Sequence, residues 1–397
     1  MEANNKAAKQ GMTRRTFIKK TGITIFILTS GSIAFRALDQ GVFSSSSGPA
    51  YEPWDISKNE YDGPLALVAD AILAANPHNS QPWLFKVTDT QIELFADEAR
   101  NLGAMDPFRR EMFMGLGCAI ENLMLSAAYN EYNPTINYFP HASDPNYVAR
   151  ITLEQGSKKE SALYKAISIR HTDRGAYDIE RPIPAEIFQH IDNVIEEKEK
   201  VKLTWFKTEE EKKLIGDLIV NATAAIIQDY DMSTSSNMWF KENWDDLQES
   251  RDGITLDAQG ESIWTRAMGK ILQPLSDDQN NQFWLKSTRE RHTATAGAYG
   301  LISVRDASDN LERMLAGRAW QRIHLYGSTQ NIGMHPLNQP NEMSDREKYL
   351  GTKEKFGMEL KKITGDSSWQ GLFLFRLGYA LKDTLPSPRR SVDQVTF

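Results

Sequence analysis

The sequence predicts an α+β protein of two modules, on three observations. At 397 residues the chain is long for one hydrophobic core, since single cores stop growing at roughly 250–300 residues. Runs of helical period alternate with short strand-like runs from Pro64 onward. Gly117-Cys118-Ala119-Ile120-Glu121-Asn122-Leu123-Met124-Leu125 and Gly317-Arg318-Ala319-Trp320-Gln321-Arg322-Ile323-His324-Leu325 carry glycine, alanine and leucine at the same spacing, and a Pro-bearing loop follows each. Beside the length, that echo points to an internal duplication.

The elements follow in order. Pro64 opens a helix whose face is Leu65, Val68, Ala69, Ile72 and Leu73, ended by Asn76-Pro77. The loop Pro77-His78-Asn79-Ser80-Gln81-Pro82 is stiffened by two prolines; its amides are either a capped turn or donors and acceptors for a planar polar ligand. Trp83 to Phe95 reads as a hairpin turning at Thr88-Asp89-Thr90. Arg109 to Asn130 is a helix, with small residues at Gly115, Gly117 and Ala119 for close approach. Strands are expected at 137–139, 149–153, 201–206, 298–304 and 372–380. Helices are expected at 163–169, 184–197, 209–230, 311–332 and 345–360, with a loop over Gly333 to Pro340. Residues 232–291, polar, rich in Trp and Met and poorly periodic, read as a lid or interface.

Formal net charge is −7. The first 34 residues hold six of the 46 basic residues and one of the 53 acidic ones, which leaves 40 against 52, or −12, for the body. Such a body has no broad basic surface, which argues against nucleic acid and anionic membrane as partners. One cysteine, Cys118, excludes an intramolecular disulfide and reads as a small core residue. The chain has no HExxH or CxxC, and its seven histidines are scattered, so no metal site is expected.

Thr13-Arg14-Arg15-Thr16-Phe17-Ile18-Lys19-Lys20 precedes an apolar run from Gly22 to Phe35. This resembles the twin-arginine export signal: Ser/Thr, two arginines, any residue, Phe, an aliphatic residue and Lys. About 14 apolar residues fall short of the roughly 20 that span a bilayer, so residues 1–34 are expected to be removed rather than kept as a membrane anchor. Residues 35–63, with four serines before Gly48-Pro49, read as a flexible linker.

The richest stretch is Arg170-His171-Thr172-Asp173-Arg174-Gly175-Ala176-Tyr177-Asp178. If the chain leaves the preceding helix extended, alternate side chains share a face, and Arg170, Thr172 and Arg174 converge on one anion. Arg brings a rigid fork and Thr a rotatable donor, a usual mixture around a phosphomonoester. The alternative is a solvated basic turn that pairs with Asp173 and Asp178.

Together the Arg170 to Tyr177 run and Asn79-Ser80-Gln81-Pro82-Trp83 resemble the flavin-dependent nitroreductase superfamily. The order, with the Asn-Ser-Gln-Pro-Trp loop first, resembles its branch of two fused modules that imitate the family's homodimer. The resemblance implies tandem modules at 64–160 and 161–397, each a sheet packed with helices, with a lid-like insertion at about 232–291. It implies one flavin mononucleotide (FMN) between them. Arg170 and Thr172 match the phosphate positions, Arg389 and Arg390 the basic tail that assists them, and Arg174 the cation beside the pyrimidine end, which is the catalytic assignment. Asn76, Pro77, His78, Asn79 and Gln81 match the loop from the opposite module. Pro336, Leu337, Asn338 and Gln339 match the segment facing the reactive ring nitrogen, where many active members have Glu-Gly instead. The first module lacks the Arg run and the second lacks the Asn-Ser-Gln-Pro-Trp loop, so one of the two interface sites is expected to be lost.

The expectation is thus an exported, monomeric, FMN-dependent oxidoreductase acting on a small nitro- or quinone-like acceptor. The twin-arginine translocase would be its export partner, and a membrane quinol or redox protein its electron donor. The other reading is a flavin-binding protein that stores or shields the cofactor.

Overall fold

The computed structural model describes residues 30–55, 61–272 and 274–397; the paired arginines and the start of the apolar run lie outside them. Helix α1 (Ser30–Asp39) comes first, and α2 (Pro64–Ala71) follows with proline in its first turn, where a missing N–H costs nothing. Strands β1 (Trp83–Val87) and β2 (Gln91–Ala96) form the expected hairpin. After α3 (Arg110–Tyr129), β3 (Tyr132–Tyr138) and β4 (Tyr147–Gln155) complete an antiparallel sheet of order β1-β2-β4-β3. Both later strands are longer than the sequence suggests, because alternation in 132–138 buries little and leaves a weak signal.

The second half repeats that order. Helix α4 (Ala185–Val194) leads to β5 (Val201–Phe206), then α5 (Glu209–Gln228), whose Thr208 and Glu211 form a capping box. The segment expected as a lid holds α6 (Tyr230–Asn237), α7 (Trp244–Ser250), α8 (Ile263–Ile271) and α9 (Asp277–Ser287), with two-residue strands β6 (Phe240–Lys241) and β7 (Ile254–Thr255) paired between them. Strand β8 (Ala298–Val304), α10 (Asn310–Thr329), β9 (Ile332–Pro336), α11 (Gln339–Leu350), α12 (Lys355–Thr364) and β10 (Gln370–Tyr379) follow. The sheet order β5-β8-β10-β9 matches β1-β2-β4-β3 strand for strand, with the long helix before the edge strand in each. The large insertion stands where the first unit has only a hairpin turn.

Helices α3 and α10 cross at the echoed glycines. A Cβ on Gly117 would stand 2.1 Å from the Met314 carbonyl oxygen, and one on Gly317 would stand 2.1 Å from that of Met114. The contact is reciprocal, as across a two-fold axis. Cys118 is buried here, as expected, with its thiol on the Gly317 carbonyl.

Three expectations are corrected. The loop over Gly333 to Pro340 contains strand β9; it is an edge strand, where Pro336 removes no needed ladder donor. The single helix at 345–360 is two helices, divided at Gly351, whose φ of +63° caps the first. The stretch read as a flexible linker is also packed where it is described: Ala50 and Tyr51 are buried, and Trp54 Nε1 donates to the Ser387 carbonyl at 2.8 Å. The C-terminal tail returns to the first unit, where the amides of Phe85 and Phe397 bond the carbonyls of Val395 and Phe85 at 2.7 and 3.1 Å.

Candidate functional site

The chain leaves the short helix before Arg170 in an extended conformation, with φ −74° and ψ 112° at that residue. Arg170, Thr172 and Arg174 all reach a small cavity of about 20 Å³, whose other walls include Asn76, Asn79, His171 and Arg389. Arg170 is buried; Nη2 donates to the Leu73 carbonyl at 2.9 Å, and Nη1 meets His324 Nδ1 at 3.3 Å. Arg389 is buried beside it, bonded to Asn79 Oδ1 and to the Ala74 carbonyl at 3.2 Å, with its guanidinium 4.7 Å from the Trp54 ring centre. No carboxylate lines this cavity. Burial, then the neighbouring Arg174, draws Arg170 down to about 10, and burial with Arg170 and Arg174 draws Arg389 well below its ordinary value. Arg170 Nε, Arg389 Nε and His171 Nδ1 are buried without a hydrogen-bond partner among the described residues. Buried cations are normally paired. Three guanidiniums, the Thr172 hydroxyl and no carboxylate give this cavity the chemistry of an anion site, and the forks and hydroxyl suit a phosphate group.

The small cavity meets a large one of about 1220 Å³; Ala75, Asn76, Thr172 and Arg174 line both. The loop from the first unit forms one wall. Its His78, Asn79 and Gln81 have φ of +48°, +56° and +51°, a strained run for non-glycine residues. The strain is held by pins at both ends. Asn79 Nδ2 donates to the carbonyls of Gly253 and Pro388 at 3.1 and 2.9 Å, and Asn76 Oδ1 accepts from the Gln81 amide at 2.8 Å. His78 contacts Ser236 Oγ at 3.0 Å, and burial draws its imidazole down to about 4.

Pro336, Asn338 and Gln339 form the facing wall, and Met114, Gly115, Trp320 and Phe373 lie deep in the cavity. The insertion covers it: Phe240, Trp244, Leu256, Leu272, Phe283 and Trp284 line the same space. Arg36 of α1 lines it too and donates to the Leu272 carbonyl at 3.0 Å. Arg174 stands where the cavities join and donates to the Ala258 carbonyl at 3.3 Å, while burial draws it down to about 10.

Three residues expected at the cofactor face neither cavity. Gln81 bonds the Arg251 carbonyl and the Arg390 amide, both at 2.8 Å, so it clamps the tail. Leu337 packs in a core cluster with Phe206, Ile215 and Leu374, since its neighbours on the strand's end take the cavity side. Arg390 turns away, bonding the carbonyls of Gln81 and Gln394 at 3.2 and 2.6 Å.

Sequence reasoning missed the charged and aromatic groups of the deep wall. Glu111 and Glu342, both buried, line the large cavity, as do His292 and His335, whose rings lie 4.8 Å apart. Burial raises both carboxyls, and Glu111 raises Glu342 further. A glutamate in the first turn of a largely apolar helix was the available signal for Glu111; nothing local marks Glu342. Among the described residues no His, Cys, Asp and Glu cluster is fit to hold a metal.

No family model matches the chain. Over 116 residues it is 33% identical to a Mycobacterium tuberculosis (strain H37Rv) protein with the provisional name NAD(P)H nitroreductase Rv3131, covering 29% of this chain and 33% of that one. Over 107 residues it is 31% identical to another from the same strain, provisionally named NAD(P)H nitroreductase acg, covering 26% of this chain and 32% of that one. The chain therefore spans about a third of the length of the curated relatives it matches. Among solved structures, the FMN-dependent nitroreductase NfnB of Mycobacterium smegmatis aligns at TM-score 0.39 and 13% identity, over 59% of this chain and 97% of that one. A nitroreductase with bound FMN from Desulfitobacterium hafniense aligns at TM-score 0.35 and 12% identity, over 57% and 94%. The resemblance to nitroreductases rests on the sequence matches, since these structural scores are too low to carry an argument.

Proposed function

We propose that the protein is an FMN-dependent oxidoreductase of nitroreductase type that passes hydride to a small planar nitro- or quinone-like acceptor. The carrying observation is the small cavity with three arginines and no acid, opening into a large cavity lined by both units. Arg170, Thr172 and Arg389 hold the phosphate. Arg174 sits at the pyrimidine end, where a cation favours a reduced, anionic ring. Asn76, Pro77, His78 and Asn79 present the loop from the first unit, and Pro336, Asn338 and Gln339 the opposite wall. The flavin supplies two-electron chemistry, and the protein supplies position, charge and exclusion of water. The sequence matches to proteins named as NAD(P)H nitroreductases support this reading.

The twin-arginine signature supports export to the periplasm or cell exterior through the translocase, with retention of the signal as the route to a membrane-associated form. Free nicotinamide cofactor is scarce there, so the donor is a membrane quinol or a redox protein. A second reading, a protein that stores or shields FMN with little turnover, is favoured by the four insertion helices that cover the cavity. One experiment separates the two. The purified protein is expected to be yellow, to bleach with dithionite, and to reoxidise within seconds on adding a quinone or nitroaromatic. Reoxidation no faster with acceptor than with buffer would favour storage, and failure to bind FMN after reconstitution would remove both readings.

A further inference from the structure

We propose that His335 presents its Nε2–H to the large cavity as a hydrogen-bond donor, fixed by Arg376, for a carbonyl or nitro oxygen of a planar conjugated ring. The class of ligand rests on the oxidoreductase reading above; the donor itself follows from the bonds of Arg376. That residue, on β10, is fully buried and stands opposite His335 of β9 in the strand register. Its Nε donates to His335 Nδ1 at 3.2 Å. Nη1 donates to the His292 carbonyl at 3.1 Å and to Thr295 Oγ1 at 3.4 Å, and Nη2 donates to the carbonyls of Gly175 and Asp173 at 2.7 and 3.4 Å. A guanidinium has five N–H groups, and here each has an acceptor. The fork also lies 4.1 Å from the centre of the Tyr177 ring, so it has no freedom to turn away.

A guanidinium donates hydrogen bonds and accepts none, so His335 Nδ1 offers its lone pair and the ring proton sits on Nε2. A second proton on Nδ1 would set two N–H groups against each other at 3.2 Å. Burial first, then His292 and the guanidiniums of Arg376, Arg174 and Arg291, hold the imidazole well below its ordinary value, which keeps it neutral near pH 7. His335 is 8% exposed and lines the large cavity beside Pro336, and Nε2 meets no acceptor among the described residues. The His292 ring packs against it edge to face, with no hydrogen bond between the two. A separate observation on the same wall also calls for a ligand. Gln339 is 7% exposed, and its Oε1 meets no donor among the described residues. Buried polar atoms are normally bonded, so a donor and an acceptor left over on one wall point to a ligand that carries both.

Such a donor matters most to a ring that is gaining electrons. Negative charge that enters a quinone or nitroaromatic gathers on its oxygens, and an N–H already aimed at one of them strengthens as that charge builds. His335 keeps its proton throughout; it orients and polarises the ring. The carbonyls of a flavin ring have the same chemistry, so the oxygen has two sources, the acceptor or the cofactor, and these are separated by measurement.

Two variants carry the test. His335→Gln keeps an oxygen for Arg376 Nε and an N–H for the cavity, whereas His335→Leu keeps neither. In stopped-flow reoxidation of the flavin-loaded protein, His335→Leu is expected to lower the ratio of duroquinone rate to ferricyanide rate by roughly 10- to 100-fold, and His335→Gln to restore most of it. Ferricyanide takes electrons without a hydrogen bond to a ring oxygen, so the ratio is independent of folding and cofactor loss. If the oxygen belongs to the flavin, the ratio stays level, and the flavin C=O stretch in infrared difference spectra moves to higher frequency in His335→Leu and back in His335→Gln. A level ratio with an unmoved stretch overturns the proposal while leaving the flavin reading intact. Nitrogen NMR of histidine-labelled protein without flavin adds a readout that needs no activity. The resonances lost in His335→Leu are expected to report a protonated Nε2 and a bare Nδ1, and the Nε2–H resonance is expected to shift on adding duroquinone. A proton on Nδ1 overturns the proposal. If the wild-type protein binds no flavin, the oxidoreductase reading fails, and the donor stands or falls on whether duroquinone shifts that resonance.

Discussion

Arg170, Arg389 and Arg390 are all buried guanidiniums, yet only the first two reach the small cavity, and that division makes their substitutions distinguishable. Arg170→Ala and Arg389→Ala are each expected to weaken FMN binding by roughly 1.5–3 kcal/mol, the scale of a charge-assisted hydrogen bond. Riboflavin, which lacks the phosphate, should bind wild type and both variants alike by calorimetry. Arg390→Ala should leave the preference for FMN over riboflavin intact, because its donors are spent on the Gln81 and Gln394 carbonyls. The alternation of Arg170, Thr172 and Arg174 was legible because an extended chain sets side-chain direction locally. The fate of Arg390 was not, because a tail's direction depends on what it docks against. His78, half-buried on the cavity wall, gives a pH prediction. Burial first, then Arg174, holds His78 near 4, below the ordinary 6.5. Between those values the unfolded chain binds a proton that the folded one refuses. Its contribution is therefore complete above about pH 6.5 and is lost as pH falls toward 4, by about 1.4 kcal/mol per pH unit. Asp70, raised by burial to about 6, titrates with the opposite sign, so the comparison to make is wild type against His78→Gln. In urea denaturation between pH 7.5 and 5, the variant should lose less stability than wild type.

Among the elements, the crossing of α3 and α10 is the most exacting contact. Gly117→Ala forces a Cβ to 2.1 Å from a backbone carbonyl of the facing helix, which no side-chain rotation relieves. We expect at least the 1–3 kcal/mol typical of overpacking, read as a lowered denaturation midpoint. Gly351→Asn, at a helix end with φ +63° and nothing within 4 Å of a Cβ, should cost far less. Equal losses at the two sites would show that the helices can separate without penalty. The sequence carried the echo of Gly117 and Gly317 as a sign of duplication, and small residues for close approach on the first helix; that the two helices meet each other at these glycines only the structure shows. Strand β9 was not visible, since Gly333 and Pro336 are loop residues by local preference and only the pairing with β10 makes them a strand. The split at Gly351 was missed for a related reason: charged residues run through 345–355 in near-helical order, and a single glycine decides where the turn falls.

For the whole molecule, the order in which the site is assembled bears on export. The loop at Asn76 to Gln81 is pinned by the tail, through Asn79 to the Pro388 carbonyl and Gln81 to the Arg390 amide. The tail in turn reaches that position by joining β1, with Phe85 bonded to Val395 and Phe397. The small cavity is therefore complete only after residues 388–397 have docked on the first sheet, and a cofactor held there must be loaded after that docking. A twin-arginine route, which carries folded proteins, suits that order, and the lone buried cysteine makes no demand for an oxidising compartment. Both units line the large cavity, so the loaded protein is expected to sediment as a single chain with one FMN. Replacing Arg14 and Arg15 with lysine should strand yellow, flavin-loaded protein in the cytoplasm, read by fractionation and flavin absorbance. Export of that variant as apoprotein, followed by loading outside, would break the link between cofactor and route while leaving the flavin assignment standing. Two flavins per chain would instead show that the second interface site survives.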